Sequence, residues 1–132
     1  MKISTKGRYA LRIMIDLANQ DPEVYTPLKE ISSRQGISIK YLEQIVPLLT
    51  RAGYLKSLRG NSGGYRLAKL PAEYKVGDIL RTTEGDLAPI ACLEGEVNDC
   101  PRKDACTTLP FWEGLKTVIN DYVDSKTLAD FL

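Results

Sequence analysis

Cys92, Cys100 and Cys106 are the only cysteines of this 132-residue chain, and they lie in one stretch with the spacing C-x7-C-x5-C. Cysteine thiolates ligate soft and borderline metals, hold iron-sulfur clusters and react with oxidants. An odd number of thiols argues against a closed intramolecular disulfide framework, which leaves metal binding or thiol redox chemistry as the leading reading of the stretch. Histidine is absent. Its absence removes the commonest general base, the serine-histidine-aspartate triads and the histidine-containing zinc patterns. There is no C-x-x-C pair and no glycine-rich phosphate loop behind a strand, so the chain is expected not to be an enzyme.

The elements around the cysteines must position them. From Ala88 to Cys106 no period of 2 or 3.6 is present, only acidic residues, proline, glycine and the cysteines, which predicts a loop. Val76 to Arg81 reads as a short helix ahead of it. Behind it, Leu109, Trp112, Leu115, Ile119 and Tyr122, with Phe111 and Val118 alongside, form an apolar helical stripe over about residues 108–124. So apolar a helix on a small domain needs a cover, and homodimerisation supplies one; packing on its own domain is the alternative. Ser125 to Leu132 reads as a turn and a terminal helical stub.

The first half has a different character. Residues 1–70 carry 12 Lys/Arg against 5 Asp/Glu, and residues 71–132 carry 6 against 12. A basic half joined to an acidic half suits a protein with one face toward phosphates and another toward protein or metal. Ala10, Ile13, Met14, Leu17 and Ala18 mark an amphipathic helix over about 5–19. Thr26-Pro27 pairs an N-cap with a proline at the first helical position, starting a second helix that runs to Gln35 and stops at Gly36. Ser38 caps a third, with Leu42, Ile45, Val46 and Leu49 as its buried stripe and Gly53 at its end; Pro47 inside it predicts a kink or an early stop. Two short helices across Gly36-Ile37 give the spacing of a helix-turn-helix. Tyr54 to Arg59 and Tyr65 to Lys69 then read as two strands joined by Gly60-Asn61-Ser62-Gly63-Gly64, a hairpin wing whose tip, flanked by Arg59 and Arg66, can bring backbone N–H groups and a cation to DNA.

With these residues in view, the sequence resembles the IscR-type, or Rrf-two, winged-helix regulators over essentially its whole length. The resemblance rests on Ser4-Thr5-Lys6-Gly7-Arg8-Tyr9-Ala10, on Gln35-Gly36-Ile37-Ser38 before Tyr41-Leu42-Glu43-Gln44, and on Arg59-Gly60-Asn61-Ser62-Gly63-Gly64-Tyr65. It implies a mainly α fold with a small β-hairpin wing and a long dimerisation helix, and a dimer on a pseudo-palindromic double-stranded operator. Carried over by position, Lys40, Glu43 and Gln44 would read bases and Arg59 would enter a minor groove. Thr5, Lys6, Ser38, Tyr41, Ser57 and the backbone of Gly63 and Gly64 would contact phosphates. The chemistry is sensible, since glutamine pairs with an adenine edge, glutamate accepts from a cytosine amino group and a narrow minor groove attracts arginine.

The resemblance also implies an iron-sulfur cluster on Cys92, Cys100 and Cys106, 2Fe-2S in preference to 4Fe-4S, in a regulator, expected to be a repressor, that senses cluster, iron or redox status. Where a well-known member has a histidine ligand three residues after the last cysteine, this chain has Leu109, and where other relatives use an acidic residue near the start it has Arg8. The fourth ligand is therefore open: a carboxylate such as Glu94, Glu96, Asp99 or Asp104, a group from the other subunit, or an exogenous ligand. Zinc on the same thiolates, direct thiol oxidation, or control by a protein partner are the alternatives. The expected division is 1–70 as the DNA-binding domain, 71–107 as linker helix and sensor loop, and 108–132 as dimerisation helix and stub. With no membrane span and no signal-like start, the expected location is cytoplasmic, with no membrane partner.

Overall fold

The computed structural model describes residues 2–132. Five α-helices and a two-stranded antiparallel hairpin are present among them: α1 Thr5–Ala18, α2 Leu28–Gln35, α3 Ile39–Arg51, β1 Leu55–Leu58, β2 Gly64–Leu67, α4 Val76–Glu84 and α5 Leu109–Ser125, followed by a helical turn at Leu128–Phe131. Ser4 caps α1 by accepting the Gly7 N–H at 3.1 Å, and Ser38 caps α3 by accepting that of Tyr41 at 3.1 Å. Gly36 ends α2 at φ 65°, a left-handed backbone that glycine adopts without a Cβ clash. In the hairpin Leu55 pairs with Leu67 and Leu58 with Gly64. The expected stripes bury: Ala10, Ile13 and Met14 of α1, Ile31 of α2 and Leu42, Ile45 and Leu49 of α3 form one core with Leu55, Tyr74, Ile79 and Leu128.

Three local expectations are corrected. Thr26 does not cap α2; Pro27 occupies that position without a side-chain bond. The backbone of Thr26 instead exchanges two 2.8 Å hydrogen bonds with Tyr65, making it a third rung beside the wing. Pro47 neither stops nor shortens α3, which continues to Arg51. Position 47 is exposed, as is Glu43, whose carbonyl loses its helical donor to the proline and can turn to water. Buried Val46 and Leu49 hold the helix on the core meanwhile, and the Thr50 hydroxyl donates to the Val46 carbonyl at 2.9 Å. Finally, α4 runs three residues past Arg81, to Glu84.

The terminal stub is docked rather than loose. The Val76 N–H donates to the Lys126 carbonyl at 2.9 Å, the Leu128 N–H donates to that of Tyr74 at 3.2 Å, and Leu128 is wholly buried. Helix α5 therefore leaves from the cysteine loop and returns the chain to the winged-helix core. Ile119 and Val123 pack near Val76 and Leu80 of α4. Beside them Arg81 donates to Asp124 at 2.8 and 3.0 Å and to Asn120 at 2.6 Å.

The hydrogen bonds and charge of Arg81 hold the Asp124 carboxyl below its ordinary pKa. A carboxyl depressed in the folded state stabilises it above the unfolded value of about 4, and that contribution is lost as pH falls through the lower folded value. Asp124→Asn is therefore expected to lower stability at neutral pH and to flatten the stability profile below about pH 4. Urea titrations at a series of pH values check this, and parallel profiles for the two proteins would remove the ion pair from the account of how α5 docks.

Candidate nucleic-acid interface and cysteine loop

Helix α3 buries one side and leaves Lys40, Glu43 and Gln44 exposed on the other. Ser57 and Arg59, on and just beyond β1, are exposed as well. Among the described residues none of these takes part in an ion pair, so their polar groups are available to an outside partner. Tyr41 is half-buried, edge-on to Tyr9 with ring centroids 5.3 Å apart, and the Arg12 guanidinium lies over Tyr9. Thr5 is exposed at the start of α1, where its hydroxyl accepts from Arg8 at 3.2 Å, and Lys6 is partly exposed beside it. The exposed Ser38 hydroxyl accepts the Tyr41 N–H as the cap of α3, which leaves its O–H able to donate.

Gly63 and Gly64, expected to offer bare backbone to phosphate, have another role in the hairpin. The Gly63 N–H donates to the Gly60 carbonyl at 3.0 Å, and a Cβ there would strike the Leu58 carbonyl. Gly64 is buried, and a Cβ on it would collide with the Thr26-Pro27 backbone. Gly63 lets the hairpin close on itself and Gly64 lets the wing lie directly against the chain entering α2, while Arg59 is left exposed.

Three polar anchors escaped the sequence reading. Glu84, at the end of α4, accepts from the Ser4 N–H at 2.9 Å and the Ser4 hydroxyl at 2.5 Å, clasping the start of α1. A Cβ on Gly7 would push that carboxylate off Ser4, so the glycine in Ser4-Thr5-Lys6-Gly7 suits the clasp and was its only trace in the sequence. Two residues on, Asp86 accepts from the N–H groups of Ala88 and Gly95 at 2.7 Å each. From the other side, the Lys116 ammonium of α5 donates to the Leu93 carbonyl at 2.5 Å. The loop carrying Cys92 is thus folded back on Asp86, just past the end of α4, and tied to α5 through Lys116.

All three cysteines are free thiols, each partly exposed. Among the described residues no group of three or more Cys, Asp or Glu side chains converges as a metal site. The donor types suit an iron-sulfur cluster, and holding one requires the loop to draw its thiols together. The Cys106 thiol is held below its ordinary pKa, chiefly by hydrogen bonding from the Thr108 hydroxyl, 3.6 Å away, and from the Thr108 N–H, with a smaller contribution from the charge of Arg102.

Helix α5 divides its apolar residues between two sides. Ile119 and Val123 face α4, while Phe111, Val118 and Tyr122 remain 59%, 64% and 63% exposed. Phe111 stacks on Trp112 with centroids 4.8 Å apart. No helix among the described residues is long and apolar enough to cross a membrane.

Comparison with known proteins places this arrangement. The model of the Rrf2 family, described as iron-dependent transcriptional regulators, matches residues 3–132. The HTH-type transcriptional regulator CymR of Bacillus subtilis is 43% identical over 130 residues, which are 98% of this chain and 88% of that protein. A solved structure of CymR, described as the global cysteine regulator of B. subtilis, superposes with a TM-score of 0.80 at 39% identity, covering 99% of this chain and 95% of that one. The structure of T. potens IscR superposes with a TM-score of 0.77 at 42% identity, covering 99% and 85%. The named relatives are regulators and not enzymes. Matched along nearly its whole length in sequence and in fold, this chain belongs to the Rrf2 family of DNA-binding transcriptional regulators.

Proposed function

We propose that the protein is a repressor that binds a pseudo-palindromic operator as a homodimer, and that the loop of Cys92, Cys100 and Cys106 holds an iron-sulfur cluster, 2Fe-2S, whose presence sets operator affinity. The observation that carries the DNA half is the exposed, uncommitted set of Lys40, Glu43 and Gln44 on α3 together with Arg59 at the wing. In this reading Gln44 and Glu43 reach base edges in a major groove, and Arg59 enters the adjoining minor groove. Thr5, Lys6, Ser38, Tyr41 and Ser57 fix register on phosphates. The two domains would sit one helical turn apart, joined through the uncovered side of α5. Residues 1–70 would read DNA, 71–107 sense, and 108–132 join the subunits.

The cluster reading is supported by three thiols in one irregular loop and by relatives named IscR. A bound cluster would supply a centre sensitive to oxidant and to iron supply. This chain contributes three thiols on a loop whose Leu93 and Gly95 are held by Lys116, midway along α5, and by Asp86, just past α4. A second reading, direct thiol signalling without a cluster, is favoured by the partly exposed, pKa-depressed thiol of Cys106 and by the likeness to the global cysteine regulator.

One experiment separates them. Protein purified without oxygen is assayed for iron, sulfide and visible absorption, then for affinity to a selected operator, alongside Gln44→Ala and a variant with all three cysteines changed to alanine. A brown wild type, a colourless cysteine variant with altered affinity, and a loss of about 1–3 kcal/mol of discrimination at one base pair in Gln44→Ala are expected. Iron-free protein whose affinity responds to peroxide through Cys106 would establish the second reading. Unchanged base preference in Gln44→Ala would overturn the assignment of α3.

A further inference from the structure

A cavity of about 120 Å³ lies between the end of α1, the turn leading to Thr26, and β2. Its walls are mostly apolar, including Leu17 and Leu67, and Val24 and Leu70 on its lining are exposed, so the cavity opens to the surface and a ligand need not fit wholly within it. Two of its lining residues carry polar groups with no partner inside the protein. Thr26 is 2% exposed, and among the described residues its hydroxyl has no hydrogen-bond partner, whereas its backbone is paired with Tyr65. Arg66 has a buried Nε with no acceptor. The rest of that guanidinium has partners at the surface: Nη1 donates to the Pro22 carbonyl at 3.1 Å and pairs loosely with exposed Glu23 at 3.7 Å, and the group rests over the Tyr25 ring at 4.7 Å.

Native proteins seldom leave a buried donor such as the Arg66 Nε without an acceptor, and an apolar pocket with a few convergent polar groups is the usual form of a small-molecule site. Apolar walls call for an apolar body. A cationic guanidinium beside a hydroxyl calls for an acceptor, best an anionic one. We propose that this cavity binds a compact monocarboxylate with an aromatic or branched aliphatic body. Its carboxylate accepts from the Thr26 hydroxyl and, after a small turn of the guanidinium, from Arg66.

The position gives such a ligand a means of acting on DNA. Thr26 is bonded through its backbone to Tyr65 of the wing and lies two residues before α2 begins. Arg66 is a residue of β2 itself, paired across the hairpin with Lys56. A ligand holding both side chains fixes the wing relative to the helix-turn-helix, so occupancy alters operator affinity. This last step rests on the proposed use of the wing and α3 on DNA; the binding step does not.

The test uses benzoate as probe, with benzamide and benzyl alcohol as neutral controls, and reads binding to the full chain by calorimetry and by ligand-observed NMR. Benzoate is expected to bind one per chain with Kd on the order of 1 mM, and the neutral probes at least about fivefold more weakly. Thr26→Val keeps the backbone bonds and removes the hydroxyl, and should weaken benzoate at least about fivefold. Ala18→Leu, which fills the cavity from α1, should abolish binding while circular dichroism shows the fold intact. No benzoate binding at about ten times that concentration, equal binding of the neutral probes, or binding unchanged in both variants would each overturn the carboxylate site. Saturating benzoate should shift operator affinity at least about twofold in the wild type and not in Ala18→Leu. Binding without that shift would overturn the effector role and leave the DNA reading, tested separately by Gln44→Ala, untouched.

Discussion

Asp16→Ala is expected to lower the unfolding free energy by about 2–3 kcal/mol, one of the largest losses available to a single substitution outside the apolar core. Asp16 is 4% exposed and faces inward from α1. It accepts from Arg34 at 2.9 Å twice and from Gln35 at 3.0 Å, so one carboxylate satisfies donors from the last turn of α2. Removing one member of a buried ion pair costs more than the pair contributes, because the other charge is stranded. Here the loss is moderated, since the Arg34 side chain is 35% exposed and water can partly replace the carboxylate. Glu30→Ala removes the more distant, exposed partner of Arg34 at 3.5 Å and should change little. Urea midpoints of the three proteins decide the matter, and coincident midpoints for Asp16→Ala and wild type would mean that α2 is held by apolar contacts alone.

Replacing Phe111, Val118 and Tyr122 together by glutamate is expected to convert the proposed dimer into a folded monomer and to reduce operator affinity by about a hundredfold or more. Two linked readers make the second half-site contact an intramolecular event, and that gain vanishes when the link is cut. The three residues are spaced seven and four apart, which puts them on one side of α5, away from Ile119 and Val123. The contacts that keep α5 on its own domain, Arg81 with Asp124 and the buried Leu128, are untouched. Deleting everything after Thr108 would be a poorer test, because it would also empty the place Leu128 fills in the core. Sedimentation and operator titration on the triple variant check the expectation; a persistent dimer would move the interface elsewhere.

The helices of the first half and the hairpin were legible because their signals are local. Ser38, Gly36 and the stripe from Leu42 to Leu49 each act within one turn of the helix they define. Thr26 misled because its neighbour Pro27 satisfies the pattern of a helix start, whereas the partner that claims its backbone, Tyr65, lies far along the chain. Pro47 misled because its cost depends on which carbonyl loses a donor, and only the fold reveals that Glu43 is exposed there. The α5 stripe was visible, but periodicity reports a face and not what covers it; the residues proved to be shared between α4 and the surface. Glu84, Asp86 and Lys116 were invisible as anchors, since isolated charges in an acidic half carry no period and their partners are backbone atoms or a serine at the far end of the chain.

The clasp of Glu84 on Ser4 sets the start of α1, with Thr5 and Lys6, only two residues from Asp86, which holds the cysteine loop. Any influence of the proposed sensor loop on the proposed phosphate contacts through so short a span must run in both directions. If a change in the loop loosens or tightens the hold on phosphates by some factor, operator DNA must change the loop's affinity for whatever it carries by that same factor. A promoter would then be more than the recipient of the signal: protein parked on DNA and protein free in solution would differ in how readily their thiols are loaded or oxidised, and the genome would act as a reservoir that buffers the sensor.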